Sequence, residues 1–280
     1  MNKRVYGWKP DRPDFRDLVF EKSKVTAPPL PDLDLRSVQP PIFDQGQLGS
    51  CTGNGISAEL EAQALSQGLP FQAISRLFIY YNERDIEGTV DSDSGANIRD
   101  GIKSVNTTGA CAESEWAYDI SKFTVKPPPQ CYTDALNFTA SKYESVNQTL
   151  NDLQSALSSG RGLVIGISVY DSFESEETAN TGIVSIPAAS ESQVGGHCVR
   201  LVGYTNNGIN GIPAKHFIGA NSWGVDWGLK GYFAIPYEYI LNPGLASDFW
   251  LIQAIAGTTI LHPKKNIIHT LVDDIKHLRF

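Results

Sequence analysis

One cysteine of the chain lies where a sequence can make a thiol reactive. Cys51 follows a glycine-containing turn at residues 44–50 and begins a stretch that predicts a helix up to residue 68. The thiolate is the nucleophilic form of cysteine, and the unpaired amides and dipole at a helix N-terminus favour an anion. This position predicts that Cys51 is a nucleophile.

A histidine and an asparagine follow far downstream in the order that a thiol nucleophile needs. His197 comes after Gly195 and Gly196 and starts a predicted strand, so it could exchange a proton with Cys51 from a rigid base. Asn221 ends the next predicted strand, and its side-chain carbonyl could hold the imidazole in one tautomer. Trp223 could cover that hydrogen bond and exclude water.

Gln45 is a candidate stabiliser of negative charge on a reacting carbonyl oxygen. It lies six residues before Cys51, so its amide could join the Cys51 backbone N–H in an oxyanion hole. Taken singly, such residues are usually a small buried hydrophobe, a core histidine and turn residues. Taken together, in this order and spacing, they favour the catalytic interpretation.

Composition limits the classes of function. The chain has 280 residues, a formal net charge of −8 and a globular proportion of apolar residues. The negative charge argues against general nucleic-acid binding, and no apolar run is long enough to predict a membrane span. No signal peptide is evident, so we expect a soluble protein, with an intracellular or virion-packaged location favoured.

The cysteines give little sign of a metal or a disulfide scaffold. There are four, and no CxxC pair occurs, so we do not expect a structural zinc site. Cys111 and Cys131 could pair across a proline-containing loop, and the sequence leaves this open.

The elements that position these residues change character along the chain. The first half predicts mainly helices, residues 110–150 are expected to be irregular apart from a proline spacer, and the second half predicts mainly strands. This segregation indicates an α+β protein of two lobes with a cleft between them. The predicted helices are 50–68, 75–87, 97–105 and 149–158, and the predicted strands are 163–169, 197–204, 216–220, 231–235 and 249–255.

Beyond these motifs the sequence resembles the papain and cathepsin family of cysteine peptidases. The similar stretches lie at residues 44–51, 196–204, 221–228 and 231–232, and His197 lies about 146 positions after Cys51. The resemblance implies a helical left lobe, a barrel-like right lobe and no cofactor. It also implies Cys51 as nucleophile, His197 as acid and base, Asn221 as orienting residue and Gln45 as oxyanion donor.

The same resemblance implies where substrate binds and how the chain divides. Ser94, Gly95, Gly196 and Trp223 fall at substrate-binding positions, and Asp248 falls at the floor of a pocket, where an acid would favour Arg or Lys two residues before the cut. The expected division is a short arm or pro-segment at 1–30, a peptidase domain at 31–256 and a helical extension at 257–280. Within the domain, the helical lobe would span about 45–150 and the β lobe about 151–256.

The chain also departs from the family pattern. Thr52 replaces an aromatic residue, Leu48 replaces a disulfide cysteine, and the long inhibitory pro-segment is replaced by the short basic arm, residues 1–30. We expect this arm to restrain activity by intramolecular inhibition, as in a zymogen. The expected activity is endopeptidase cleavage of protein or peptide substrates through a thioester. The alternatives are an acyltransferase or transpeptidase of the same fold and a catalytically silent scaffold or virion component.

Overall fold

The elements of the chain are mainly helical first and mainly extended afterwards. The computed structural model describes residues 4–21 and 30–256, so the predicted C-terminal helix lies outside the described residues. The helices are α1 (Cys51–Ser66), α2 (Arg76–Glu87), α3 (Ile98–Thr107), α4 (Pro129–Ala135), α5 (Leu150–Leu157), α6 (Glu176–Thr181) and α7 (Tyr237–Leu241). The strands are β1 (Trp8–Lys9), β2 (Leu33–Asp34), β3 (Ala96–Asn97), β4 (Thr139–Ser145), β5 (Leu163–Tyr170), β6 (Gln193–Thr205), β7 (His216–Ala220), β8 (Tyr232–Pro236) and β9 (Ala246–Ala256).

The first helices form where local signals and burial agree. In α2 the N-cap Ser75 accepts a hydrogen bond from the Phe78 amide, and Gly88 ends the helix in the left-handed conformation. Helix α1 is buried on most sides, because it packs against α2, α3 and the sheet. Its Ile56 and Leu60 belong to a core that also contains side chains of α3, β5 and β9. The sequence prediction of these helices is therefore confirmed.

A seven-stranded antiparallel sheet makes up most of the second half. Its strand order is β4-β9-β5-β6-β7-β8, and β2 pairs with β6 beside this path. Apolar side chains of β5, β6, β8 and β9 enclose a second core together with α5 and α7. The combination of helices with one large antiparallel sheet confirms the α+β class.

A buried ion pair joins α1 to β6, the two elements that carry Cys51 and His197. The Arg200 guanidinium lies 3.2 Å from the Glu59 carboxylate, and both side chains are almost fully buried. The same carboxylate accepts a hydrogen bond from the Gly162 amide before β5. Removing one partner of such a pair leaves an uncompensated buried charge, so the contact holds helix and sheet in one arrangement.

Residues 110–150 are more ordered than the sequence indicated. They contain α4 and β4, and β4 pairs antiparallel with β9 along its length. Strand β4 thus extends the sheet, although it falls inside the range predicted for the helical lobe. Strand β6 also begins at Gln193, before the predicted start at residue 197. Both differences arise because polar or glycine-containing segments become strands only when a neighbour supplies the hydrogen bonds.

Candidate active site

Cys51 is the first residue of α1 and is completely buried. The preceding turn is held by Ser50, whose hydroxyl hydrogen-bonds to the Tyr118 hydroxyl. Burial raises the pKa of Cys51 to about 11, while the backbone amides of Cys198 and Gly7 act in the opposite direction. The sulfur therefore lies beside the residue that follows His197 and beside the N-terminal arm. In this arrangement the thiol is protonated at neutral pH.

His197 and Asn221 are in direct contact. The His197 Nε2 atom lies 2.8 Å from Asn221 Oδ1, which also accepts a hydrogen bond from the Ser222 amide. Because Oδ1 is an acceptor, the shared proton belongs to Nε2, and the neutral ring keeps an unprotonated Nδ1. That Nδ1 is buried and has no hydrogen-bond partner among the described residues. The histidine can therefore accept a proton at Nδ1 without losing its bond to Asn221.

Aromatic rings enclose this histidine. The Trp223 ring stacks on the His197 ring at a centroid distance of 4.9 Å, and the edge of Tyr6 approaches at 5.9 Å. Burial lowers the pKa of His197 to about 4; the Asn221 bond opposes this, and the charge of Arg4 adds to it. An imidazolium is thus disfavoured while the site is covered.

Three hydrogen bonds fix the Gln45 side chain. Its Oε1 accepts from the Ser222 hydroxyl at 2.6 Å, so Nε2 is the end that faces the cleft. Nε2 donates to the Leu48 carbonyl at 3.0 Å and to the Val5 carbonyl at 3.2 Å. A carbonyl oxygen of the arm therefore occupies a donor that, in an oxyanion hole, would bind the oxygen of a substrate.

The arm runs through the cleft between the two halves of the chain. The Ala96 amide donates to the Gly7 carbonyl at 2.7 Å, and β1 pairs in parallel with β3. A Cβ on Gly95 would lie 1.9 Å from the Gly7 carbonyl oxygen, and one on Gly196 would lie 2.6 Å from the Trp8 carbonyl oxygen. These glycines let a second backbone approach closely, as the predicted substrate-binding positions require.

Asp248 lies under this arm. Its Oδ2 accepts hydrogen bonds from the Trp8 indole at 3.0 Å and from the Asp11 amide at 2.8 Å. The Trp8 ring packs on Gly166, where a Cβ would lie 2.0 Å from the indole. A large aromatic side chain thus occupies a pocket with an acid at its end.

Trp223 and Ser94, two of the predicted substrate-binding positions, make contacts that the sequence did not indicate. Arg4 is a further contact residue that was not predicted. Trp223 also packs under the guanidinium of Arg4, 4.9 Å from the ring centroid, and Arg4 lies 3.7 Å from Asp44. The Ser94 hydroxyl instead bonds to Thr89 and to the carbonyl of the next residue, so its side chain is used within its own loop. Sequence reasoning missed Arg4 as a contact residue, although its charge beside the acidic body was an available signal.

A buried carboxyl lies behind the nucleophile position, where the sequence departs from the expected aromatic residue. The Thr52 hydroxyl donates to Glu83, which is fully buried on α2. Burial raises the pKa of Glu83 well above its usual range. A Cβ on Gly101 would lie 2.4 Å from this carboxyl, so α3 closes tightly over it. Thr52 thus replaces ring packing by a polar contact with a buried carboxyl.

Two further findings concern metals and membranes. Within the described residues, one group of potential metal ligands occurs, formed by Cys111, Glu115 and Cys131 on the helical side. Among the same residues, no helix is both long and apolar enough to cross a membrane.

Comparison with known proteins gives a consistent family. Residues 31–249 match a family model described as papain family cysteine protease. An uncharacterized peptidase C1-like protein of Acanthamoeba polyphaga mimivirus is 40% identical over 287 residues, covering 92% of this chain and 89% of that one. Cysteine proteinase 3 of Entamoeba histolytica is 27% identical over 230 residues, covering 81% and 69%.

Solved structures agree. Xylellain, a cysteine protease from Xylella fastidiosa, has a TM-score of 0.80 and 38% identity, covering 92% of this chain and 98% of that one. Digestive procathepsin L 3 of Tenebrio molitor has a TM-score of 0.62 at 21% identity, covering 86% and 74%, and it supports the fold alone. The two-lobed α+β fold expected from the sequence is confirmed.

Proposed function

The chain belongs to the papain family of cysteine proteases, and on that premise we propose that it is an endopeptidase whose own N-terminal arm restrains it. The observation that supports the proposal is the buried His197, which is bonded to Asn221 at 2.8 Å and keeps an Nδ1 without a hydrogen-bond partner among the described residues. The next residue of its strand, Cys198, directs its backbone amide at the Cys51 thiol. A thiol at a helix N-terminus beside an oriented base is the arrangement that nucleophilic catalysis needs.

The proposed chemistry follows from these positions. With substrate in the cleft, the Cys51 thiol gives its proton to His197 Nδ1, and the thiolate attacks the peptide carbonyl. The resulting oxyanion is stabilised by Gln45 Nε2 and the Cys51 backbone N–H. His197 then protonates the leaving amine, and a thioester remains on Cys51. Water activated by His197 Nδ1 attacks the thioester, the acid product leaves, and the thiol is restored.

The arm occupies this cleft and contacts both the nucleophile and the oxyanion donor. The Gly7 amide is directed at the Cys51 sulfur, while the carbonyl that Gln45 binds belongs to Val5. The arm also buries Cys51 and His197, so that both remain neutral. The docked arm therefore blocks substrate and suppresses the ion pair, which makes arm displacement the activating step.

Asp248 gives a proposal for specificity. In the docked state its carboxylate accepts the indole N–H of Trp8. A substrate side chain in the same pocket would therefore gain from reaching Asp248 with an N–H donor, as Arg, Lys or Trp can. We expect these residues two positions before the cleaved bond.

The test compares the full chain with a chain that starts at Pro31, using a peptide library and a thiol-directed alkylating reagent. The proposal expects faster hydrolysis and faster alkylation of Cys51 in the shorter chain, and no hydrolysis by its Cys51→Ala variant. Equal rates in both chains would remove the arm restraint but leave the peptidase. Product analysis with added amines reports whether water or an amine resolves the thioester. A shorter chain that folds but is neither active nor alkylated at Cys51 would contradict the peptidase proposal.

A further inference from the structure

A second pair of cysteines lies away from the cleft, on the helical side. Cys111 follows α3, Cys131 lies in α4, and both are almost fully buried with their thiols free. Their sulfur atoms and one carboxylate oxygen of Glu115 all lie within 4.8 Å of one another. The Cys131 thiol also donates to the Glu115 backbone carbonyl at 3.8 Å. Three potential ligand atoms from two segments therefore converge on one point.

The carboxylate of Glu115 is incompletely hydrogen-bonded at this point. One of its oxygens, Oε2, is buried and has no hydrogen-bond partner among the described residues. A buried oxygen without a partner costs about 1–3 kcal/mol, and more when it is charged. The surroundings supply apolar contacts instead, from Phe78 and from the rings of Trp116 and Tyr132.

We propose that Cys111, Glu115 and Cys131 bind a zinc ion that fastens α4 to the segment after α3. Two thiolates and a carboxylate form a donor set that suits Zn²⁺, which accepts sulfur and oxygen in a tetrahedral arrangement. With bonds of about 2.3 Å to sulfur, tetrahedral ligand atoms lie about 3.8 Å apart. Small side-chain rotations therefore bring the three atoms into range, and water can supply the fourth ligand.

A zinc ion explains the site better than a disulfide does. A disulfide would consume both thiols but leave the Glu115 oxygen buried and unpaired, whereas a cation would satisfy it. The absence of a CxxC pair, which argued against a metal, does not apply when the ligands come from separate segments.

The position of the site gives the ion a structural consequence. Residues between Cys111 and Cys131 include Tyr118, whose hydroxyl donates to the Gln45 carbonyl at 2.9 Å. The same segment holds Glu113, which pairs with Arg76 on α2 at 2.7 Å. Fastening both ends of this segment stabilises the loop that precedes Cys51, at a distance from the chemistry.

Zinc binding is measured on the full chain in the Cys51→Ala background, so that the cleft thiol cannot contribute. Reduced, metal-free protein is titrated with Zn²⁺ against a chromophoric chelator, and Co²⁺ is used as a spectroscopic probe. We expect one Zn²⁺ per chain and thiolate-to-cobalt charge-transfer bands. We also expect Tm to rise by roughly 5–10 °C when free zinc is about 100-fold above Kd.

Variants separate this site from adventitious binding. Cys131→Ser and the nearly isosteric Glu115→Gln should each weaken zinc binding by at least about 100-fold, beyond the 10–100-fold typical of residues that only support ligands. Asp119→Asn, an exposed carboxylate of the same segment, and Cys198→Ala, a buried thiol elsewhere, should leave the affinity unchanged. Equal affinity in all four variants would overturn the proposal. So would a thiol count of one in the denatured, unreduced Cys51→Ala chain, because that result identifies a Cys111–Cys131 disulfide.

Discussion

The contact between Asp11 of the arm and Asp248 of the body makes docking of the arm depend on pH. The two carboxyls share a buried cluster in which Asp248 accepts the Asp11 amide. Asp11 itself accepts from the Trp250 indole at 2.8 Å and from the Arg99 amide at 3.2 Å. Burial and the charge of Asp248 raise the pKa of Asp11 to about 7, although the Trp250 bond and the charge of Arg99 oppose this. Burial likewise raises the pKa of Asp248.

The direction of this pH dependence follows from comparing the pKa of Asp11 in the docked arm with its pKa in the free arm. In the free arm the pKa of Asp11 is its ordinary 3.8, so docking takes up a proton at any pH between that value and about 7. Docking is then most favourable below about pH 4, and this stabilisation is lost as pH rises through about 7. Between pH 5 and pH 8 the docking constant should fall by roughly 100-fold, about 2.7 kcal/mol, for this one group. Because the two acids are coupled, the observed midpoint belongs to the pair.

Hydrogen exchange measures docking without relying on activity, whose own pH dependence would interfere. In the Cys51→Ala full chain, the opening constant of the hydrogen-bonded amides of Asp11 and Ala96 should rise by about 100-fold from pH 5 to pH 8, after correction for intrinsic exchange. Asp11→Asn should remove most of this dependence. Asp14→Asn should keep it, because the Asp14 carboxylate of the same arm pairs with Arg16 and not with Asp248. Unchanged pH dependence in Asp11→Asn, or protection that increases with pH, would refute the reasoning.

Four further changes test other contacts. Trp8→Ala should speed hydrolysis by the full chain, because truncating a buried aromatic ring costs about 3–5 kcal/mol of docking; an unchanged rate would mean that Trp8 does not hold the arm. Gln45→Ala should lower kcat of the chain that starts at residue 31 by about 10²–10³-fold, and a smaller loss would remove it from the oxyanion hole. Asp248→Ala should reduce the preference for basic residues two positions before the cut in a peptide-library profile, and an unaltered profile would contradict the pocket assignment. Arg200→Ala should cost about 3–5 kcal/mol of unfolding free energy in urea, with much of it recovered by adding Glu59→Gln; equal losses in the single and double variants would show that the buried charge is not the cause.

The sequence predicted the parts of the fold that local patterning determines. Helices α1, α2, α3 and α5 and strands β5 and β7 to β9 have apolar periodicity or caps of their own, and the structure has them within a few residues. Strand β4 was not predicted, because its exposed Lys142 and Glu144 interrupt any alternation and its pairing with β9 decides its conformation. The two-residue strands β1 and β3 exist only because the arm lies in the cleft.

The sequence predicted which residues form the candidate site, but it did not predict which arm residues cover them. The types and order of Cys51, His197 and Asn221 indicated the chemistry, whereas the seating of Tyr6 and Trp8 depends on contacts more than a hundred residues away in sequence. The sequence did indicate something at Gly7, which lies between two aromatic residues. A glycine there lets the segment approach another backbone closely. The orphaned Glu115 oxygen could not be inferred from sequence, because it depends on the packing of α4.

The most direct measurement of the central claim is mass spectrometry of the chain that starts at Pro31, after reaction with an irreversible thiol-directed peptidyl inhibitor and alongside an assay of peptide hydrolysis. We expect one adduct per chain, located on Cys51, with hydrolysis lost in proportion to labelling. We also expect the full chain to be labelled more slowly at pH 5 than at pH 8 by more than the change in inhibitor reactivity with a free thiol. Hydrolysis that persists after complete labelling of Cys51, or in the Cys51→Ala variant, would contradict the role of Cys51 as nucleophile.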